Sequence, residues 1–423
     1  MTDCSSPSHD SSRRWSALWR STTLTGTRVA SAIAVNKVIA VHLGPEGLAL
    51  VGQFQNFTAV AFGMSSGNVS SAVIATVSAA RDEAALRHAV STAVAVTSLA
   101  TGAVALCIAL AAHPLARHVF ADPSLAPTLQ FFAVLMVPLV LNLVVLGTCA
   151  GRNRPAPYTW VNASIAVASV PACWLLIVIL GLPGAMLSAV AVNASGLLLS
   201  LAWVWRQHLL PMEWLWGGIE RAALRRLLRA IAMTSATVLA VPASQLVVRQ
   251  LVVEDFGAAM AGRWQAVLKV GEVLMMTVTV AVSLHFLPRF SAGVWSRGEA
   301  VRAATLVVAG TACLGAVAIA GADWFLPLLF SKDFGSAAGL LPMQLAGDSL
   351  RGGILVLQAA MMSQLRAAAY AAVDVAYAAV LAGTGLLLVP NYGANGAATA
   401  VLAASVVAAV VALTLVRGRE LEA

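Results

Sequence analysis

Apolar runs of membrane length recur along the whole chain, each bounded by a charge, a glycine or a proline. Twelve of them fall near residues 23–42, 48–79, 88–112, 127–150, 157–180, 184–205, 228–251, 262–288, 303–329, 338–362, 367–389 and 393–416. About 20 mostly apolar residues cross a bilayer as a helix, and a helix satisfies its own backbone polar groups in lipid. The pattern predicts an all-α polytopic membrane protein with twelve transmembrane helices. The second and eighth runs exceed what a bilayer needs, so they are expected to tilt or to project past its surface.

The cationic residues between the runs set an orientation. With the N-terminus inside, the inner segments hold Arg13, Arg14, Arg20, Arg81, Arg87, Arg152, Arg154, Arg206, Arg221, Arg225, Arg226, Arg229, Arg289, Arg297, Arg302, Arg366, Arg417 and Arg419, against Arg117 and Lys332 outside. That bias predicts both termini in the cytoplasm. The longest inner connection, RQHLLPMEWLWGGIERAALRRLLR from Arg206 to Arg229, mixes arginines with Trp214, Trp216 and leucines, as a segment at the membrane interface does. It divides six spans from six. The expected organisation is a disordered cytoplasmic N-terminus (1–20), an N-terminal six-helix bundle (21–206), a cytoplasmic linker (207–227), a C-terminal six-helix bundle (228–416) and a cytoplasmic tail (417–423).

The halves also share a pattern. Gly47-LALV-Gly52-Gln53-Phe54-Gln55 opens span two, and Gly257-AAMA-Gly262-Arg263-Trp264-Gln265 opens span eight. Both read G-x4-G-x-aromatic-Q, which points to an internal duplication. Six spans separate the copies, so the repeats are parallel, related by an axis along the membrane normal.

Composition agrees: of 423 residues, 60% are hydrophobic and only 10% charged, where a soluble domain has about 25% charged residues. The net charge of +8 is spread between the runs rather than gathered in a patch, which argues against a nucleic-acid partner. Cys107, Cys149, Cys173 and Cys313 lie within apolar runs without CxxC spacing and read as buried small hydrophobes. The first residues lack the apolar core of a signal peptide. Gly63-Met64-Ser65-Ser66-Gly67 matches G-x-S-x-G but lies inside a span, where no strand-to-helix elbow can form. Gly147-x-x-x-Gly151 suits close helix packing, and His285 reads as a satisfied core histidine. Neither a Walker A sequence nor a paired metal-ligand motif occurs, so the chain is expected to be no enzyme, to need no cofactor and to bind no metal.

Charges inside spans carry the chemistry. An ionisable group near the centre of a spanning helix costs roughly 2.5–3.5 kcal/mol on insertion scales, so it usually faces a cavity and serves a function. Arg28, Lys37, Arg249, Arg263, Lys269 and Arg351 stand against Glu272, Asp348 and Asp374. Lys269 with Glu272, and Asp348 with Arg351, share the i, i+3 spacing of a helix-face pair. Each could be a neutralised packing pair, but the cationic excess suits an anionic substrate. Arg28 can snorkel to the surface, whereas Lys37 lies about two turns deeper and is expected to line the cavity. Glu272, Asp348 and Asp374 are the candidates for proton or Na+ coupling.

The run KVIAVHLGPEGLALVGQFQNF (Lys37 to Phe57), the block from Gly262 to Ser291 and MQLAGDSLRGGILVLQAAMMSQLRAAAYAAVDV (Met343 to Val375) resemble the Wzx-type polysaccharide translocases. These are the lipid-linked oligosaccharide flippases of O-antigen and common-antigen assembly. The likeness extends through nearly all of the chain, with the W-Q and D-x-L-[KR] blocks its most specific parts. It implies a place in the multidrug/oligosaccharidyl-lipid/polysaccharide exporter superfamily, with two six-helix bundles around a central cavity that opens to alternate faces. It also implies an undecaprenyl-pyrophosphate-linked oligosaccharide as substrate, the bacterial inner membrane as location, and other polysaccharide-assembly membrane proteins as partners. The family's acidic positions fall on Glu272, Asp348 and Asp374, its D-x-L-[KR] cation on Arg351 and its first-span lysine on Lys37. Ile74 stands where similar sequences carry a lysine late in span two. A pyrophosphate attracts lysine and arginine, so Lys37, Arg249, Lys269 and Arg351 are expected at the headgroup, with Gln53, Gln55, Asn56 and Gln265 facing the sugar. The rival reading is a cation-coupled multidrug exporter of the same superfamily, which would favour a negatively charged cavity.

Overall fold

The structure, a computed structural model, describes residues 7–66, 69–78, 80, 82–152, 154–207, 211, 218–293, 295–364 and 366–418. Among them the regular structure is helical, with no β-sheet. Ten long helices follow one another: α1 (Pro7–Ser65), α3 (Glu83–Leu110), α5 (Ala126–Gly151), α6 (Pro155–Leu180), α7 (Leu182–Arg206), α8 (Arg221–Phe256), α9 (Ala258–Ala281), α11 (Arg297–Ala320), α13 (Leu341–Ser363) and α14 (Ala367–Leu415). The short α2 (Val69–Ser78), α4 (Ala112–Val119), α10 (Leu287–Ala292) and α12 (Ala322–Leu329) lie between them. Helices α1 and α14 are each two rods joined at a left-handed glycine, Gly44 (φ 63°) and Gly393 (φ 55°). The rods therefore match the twelve apolar runs. Among the described residues, eight helices are long and apolar enough to cross a membrane, counting α1 and α14 once each. Helices α8 and α13 stand outside that set, and they are the ones that carry Arg249, Asp348 and Arg351.

The duplication is visible in the connections. Left-handed glycines make the turns at Gly44, Gly181, Gly257 and Gly393, a conformation that only glycine enters without steric cost. The turn after the first rod of each half is thus of one kind, and so is the turn before the last. Between the third and fourth rods of each half lies a short helix followed by a 3-10 segment: α4 then Pro123–Leu125, and α12 then Lys332–Leu340. The sequence register needs one correction. Gly257 makes its turn, but the first-half turn falls on Gly44 and leaves Gly47 inside a helix.

Two further expectations are revised. The over-long second and eighth runs are broken: α1 stops at Ser65 and the run resumes as α2, while α9 passes through a π-helical turn, Val282–Phe286, into α10. Helix α8 begins at Arg221, seven residues before its apolar run. The interfacial tryptophans Trp214 and Trp216 lie outside the described residues. His285 is exposed on the π-helical turn, not buried. Cys149 and Cys173 are buried as expected, whereas Cys107 and Cys313 are exposed.

Helices α1 to α7 pack on one another, as do α8 to α14, and the two sets meet where α1 crosses α8 and α9. Without water between apolar helices, close approach of small residues drives such packing. Gly147 and Gly151 supply it as expected: an added Cβ would stand 3.2 Å from Ser70 O and 2.8 Å from Val77 Cγ1 of α2. Leu99, Trp174, Val178, Leu306 and Val317 remain exposed on the outer helices, as lipid-facing side chains do. Helix α11 starts in a capping box, in which the Ser296 hydroxyl accepts from the Glu299 amide and the Glu299 carboxylate accepts from the Ser296 amide. Ser296→Ala is expected to lower stability by about 0.5–2 kcal/mol, read as a lower melting temperature of the purified protein.

Candidate functional site

Helix α9 enters the protein interior with Trp264, Gln265, Ala266 and Val267 buried, turning its polar stripe toward α1, α8 and α13. There it lines a cavity of about 350 Å³ with Gln55 and Asn56 of α1, Gln245 and Arg249 of α8, Lys269 and Glu272 of its own, and Gln344, Asp348 and Arg351 of α13. Eight of the eleven residues expected at a site, Gln265 among them, therefore meet in this chamber, from both halves of the chain. A second chamber of about 460 Å³ shares Arg351 and Tyr377 with it and contains Asp374, Gln358 and Tyr370.

The expected Lys269–Glu272 pair is present, with Nζ 2.7 Å from Oε2, and Lys269 also donates to Gln55 Oε1 at 2.8 Å. One ammonium thus ties α9 to α1. Asp348 and Arg351 share the same spacing without pairing. Asp348 accepts from Gln344 Nε2 at 3.3 and 3.2 Å, while the Arg351 guanidinium lies 4.2 Å from the centre of the Tyr377 ring. A ring face binds a desolvated guanidinium well, and Tyr377 from α14 holds Arg351 in the wall common to both chambers. Gln344 in turn accepts from Trp264 Nε1 at 3.2 Å, so a tryptophan, a glutamine and a carboxylate run in series from α9 to α13. Gly271 makes room for the carboxylate, because a Cβ there would collide with it. Asp374 accepts from Gln358 Nε2 at 3.0 Å.

Arg249 is the least satisfied group of the site. It is 1% exposed, its Nη2 donates to Gln265, and it lies 5.8 Å from the Trp264 ring centre. Its Nε and Nη1 have no partner, and neither does Asn56 Nδ2 beside the same chamber. A buried charged donor left unpaired is costly.

Two expected residues are elsewhere. Lys37 does not line the chamber: its Nζ donates to the carbonyls of Pro327 (3.3 Å) and Leu328 (2.8 Å) at the end of α12. Gln53 is buried between the halves, where its Nε2 donates to Val119 O at 2.5 Å and Gln250 Oε1 at 2.8 Å. Arg28 is held by Asn162 Oδ1 at 2.9 Å. The residues that sequence reasoning missed, Gln245, Gln344, Gln358, Tyr370 and Tyr377, are neutral. A glutamine in an apolar run was the available signal.

The two halves are closed together at the face opposite the arginine-rich connections. Gly262 packs against the Pro45 carbonyl and Gly52 against Gln265 and Arg249, where in both cases a Cβ would collide. Under the corrected register Gly52 and Gly262 are not equivalent positions, yet each brings the two halves into close contact at this face.

No known family profile matches the chain. It is 22% identical to the lipid III flippase of Escherichia coli (strain K12) over 92% of this chain and 95% of that protein, and equally so to that of Shigella flexneri. An inward-facing multidrug resistance MATE transporter of the MOP superfamily superposes with a TM-score of 0.73 at 16% identity, over 92% of this chain and 93% of its own. The chain shares the fold of that transporter. The lipid II flippase MurJ, in an inward closed conformation, also gives 0.73, at 12% identity over 93% of this chain and 86% of its own. An outward-facing MOP transporter gives 0.64 at 15% identity over 93% of this chain and 94% of its own.

Proposed function

We propose that this multi-pass membrane protein flips an undecaprenyl-pyrophosphate-linked oligosaccharide from the cytoplasmic to the periplasmic leaflet of the bacterial inner membrane. The observation that carries the reading is the buried Arg249 guanidinium, which lines the inter-half chamber with two donors unpaired. Guanidinium binds phosphate oxygens bidentately, and Lys269 and Arg351 are the further headgroup cations. Gln55, Asn56 and Gln265 offer the sugar a polar wall, while the prenyl tail stays in lipid. The likeness to lipid III flippases over nearly the whole of both chains supports the same substrate class.

The halves, 21–206 and 228–416, rock about their α1 contact, with both termini in the cytoplasm. Glu272, Asp348 and Asp374 are the groups through which H+ or Na+ would couple to that motion. Lys37 drops out of the headgroup set because α12 occupies its ammonium. The second reading, a cation-coupled drug exporter, draws on the MATE-like fold. Against it, the chamber holds Arg249, Lys269 and Arg351 against two carboxylates, Glu272 and Asp348.

Purified protein in liposomes is expected to translocate a polyprenyl-pyrophosphate glycan, and Lys269→Ala or Arg351→Ala to slow this on the order of tenfold or more. Export of a cationic dye, without glycan translocation, would establish the rival instead.

A further inference from the structure

Lys37 and Gln250 stand at the same position of the two halves, each seven residues before the left-handed glycine of its own first turn, Gly44 or Gly257. Each reaches the short helix of the other half. Lys37, in the first half, donates to Pro327 and Leu328 at the end of α12. Gln250, in the second half, donates to His118 O of α4 at 3.4 Å, and Gln53 donates to the neighbouring Val119 O while holding Gln250 Oε1. The last carbonyls of a helix lack intrahelical partners and carry the negative end of its dipole. An ammonium or amide from the opposite half therefore fits both sites.

We propose that these contacts are a matched pair of latches that hold the arginine-poor face shut. The glycine contacts at Gly52 and Gly262 close the same face, so the halves part there only when both short helices are released. The latches are unequal. Lys37 makes a charge-assisted bond, the stronger kind, whereas the Gln250 side relies on two neutral amides. The duplicated fold thus gives the gate a two-fold plan with one charged and one neutral arm, and it gives Lys37 a role other than headgroup binding. The proposal rests on the alternating-access reading but not on the identity of the substrate.

The test places a reporter cysteine at Met275, which lines the chamber below the gate, in a background with Cys4, Cys107 and Cys313 replaced by serine. A membrane-impermeant maleimide is applied to oriented vesicles from each face. Lys37→Met and Gln250→Leu are each expected to speed labelling from the arginine-poor face, roughly tenfold for the charged arm, and the double variant more than either. Labelling from the arginine-rich face should stay level or fall, since opening one face closes the other. A second reporter at the exposed Tyr392 should label equally in every variant. Unchanged rates at Met275 in the double variant would overturn the proposal. A rise from both faces would overturn it too, because that is the signature of general loosening.

Discussion

Arg249→Met is expected to abolish glycan translocation while leaving the purified protein as stable as before, or more so. The two effects have separate causes. In the unliganded protein the guanidinium is buried with Nε and Nη1 unpaired, and Glu272 is already paired with Lys269. Removing an uncompensated buried charge relieves a desolvation penalty of several kcal/mol. The losses are the contact with the Trp264 ring and one hydrogen bond, which leaves Gln265 without that donor and costs about 1–3 kcal/mol. Methionine keeps the length and much of the volume, so the balance falls at zero or on the stabilising side. With substrate present the sign reverses: truncating one partner of a buried charge pair costs about 2–5 kcal/mol, or on the order of a hundredfold or more in binding. Melting curves and liposome translocation on the same preparation decide the matter. A drop in stability that parallels the drop in transport would make Arg249 a packing residue and remove the main support for a pyrophosphate site.

Much of this arrangement was legible in the sequence, for identifiable physical reasons. A helix in lipid needs a long apolar run, so each run is matched by a rod, although helix ends and internal breaks depart from the hydropathy. A charge in such a run is expensive enough to demand an interior position, which is why Arg249, Lys269, Glu272, Asp348 and Arg351 all line the chamber. Local spacing said less about partners. Lys269–Glu272 pairs, but Asp348–Arg351 does not, because the i, i+3 geometry competes with Tyr377 from a helix that no local rule places there. Lys37 is the sharper case: its acceptors lie 290 and 291 residues away on a short helix that reads as the tail of a span. Neutral groups left the weakest trace. Gln344 and Gln358 each present a carboxamide to an aspartate, yet an uncharged side chain in an apolar run is cheap enough to pass unnoticed. The duplicated motif was visible, but its register was not, since Gly44 and Gly47 look alike until a positive φ assigns the turn.

Gly262→Val is expected to destabilise the closed arrangement of the arginine-poor face more than any single latch variant. A Cβ at this position would run into the Pro45 carbonyl and its neighbouring backbone atoms, and backbone at a helix start cannot step aside as the end of a flexible side chain can. Overpacking of this kind costs typically about 1–3 kcal/mol, occasionally more. As a shift between conformations that is roughly a five- to hundredfold change in favour of states in which α1 and α9 have separated. Gly262→Ala should already show the effect. This runs against the local preference of the helix, since alanine is favoured over glycine there by about 1 kcal/mol. Three other helical glycines supply the control. Gly102, Gly310 and Gly383 have nothing within 4 Å of an added Cβ, so alanine at any of them is expected to be neutral or to raise the melting temperature. The variant at 262 should instead lower that temperature and speed labelling of a cysteine at Met275 from the arginine-poor face. If Gly262→Ala behaved like the controls, α1 and α9 would not be in close contact at this crossing. Gly262 would then have no part in the gate.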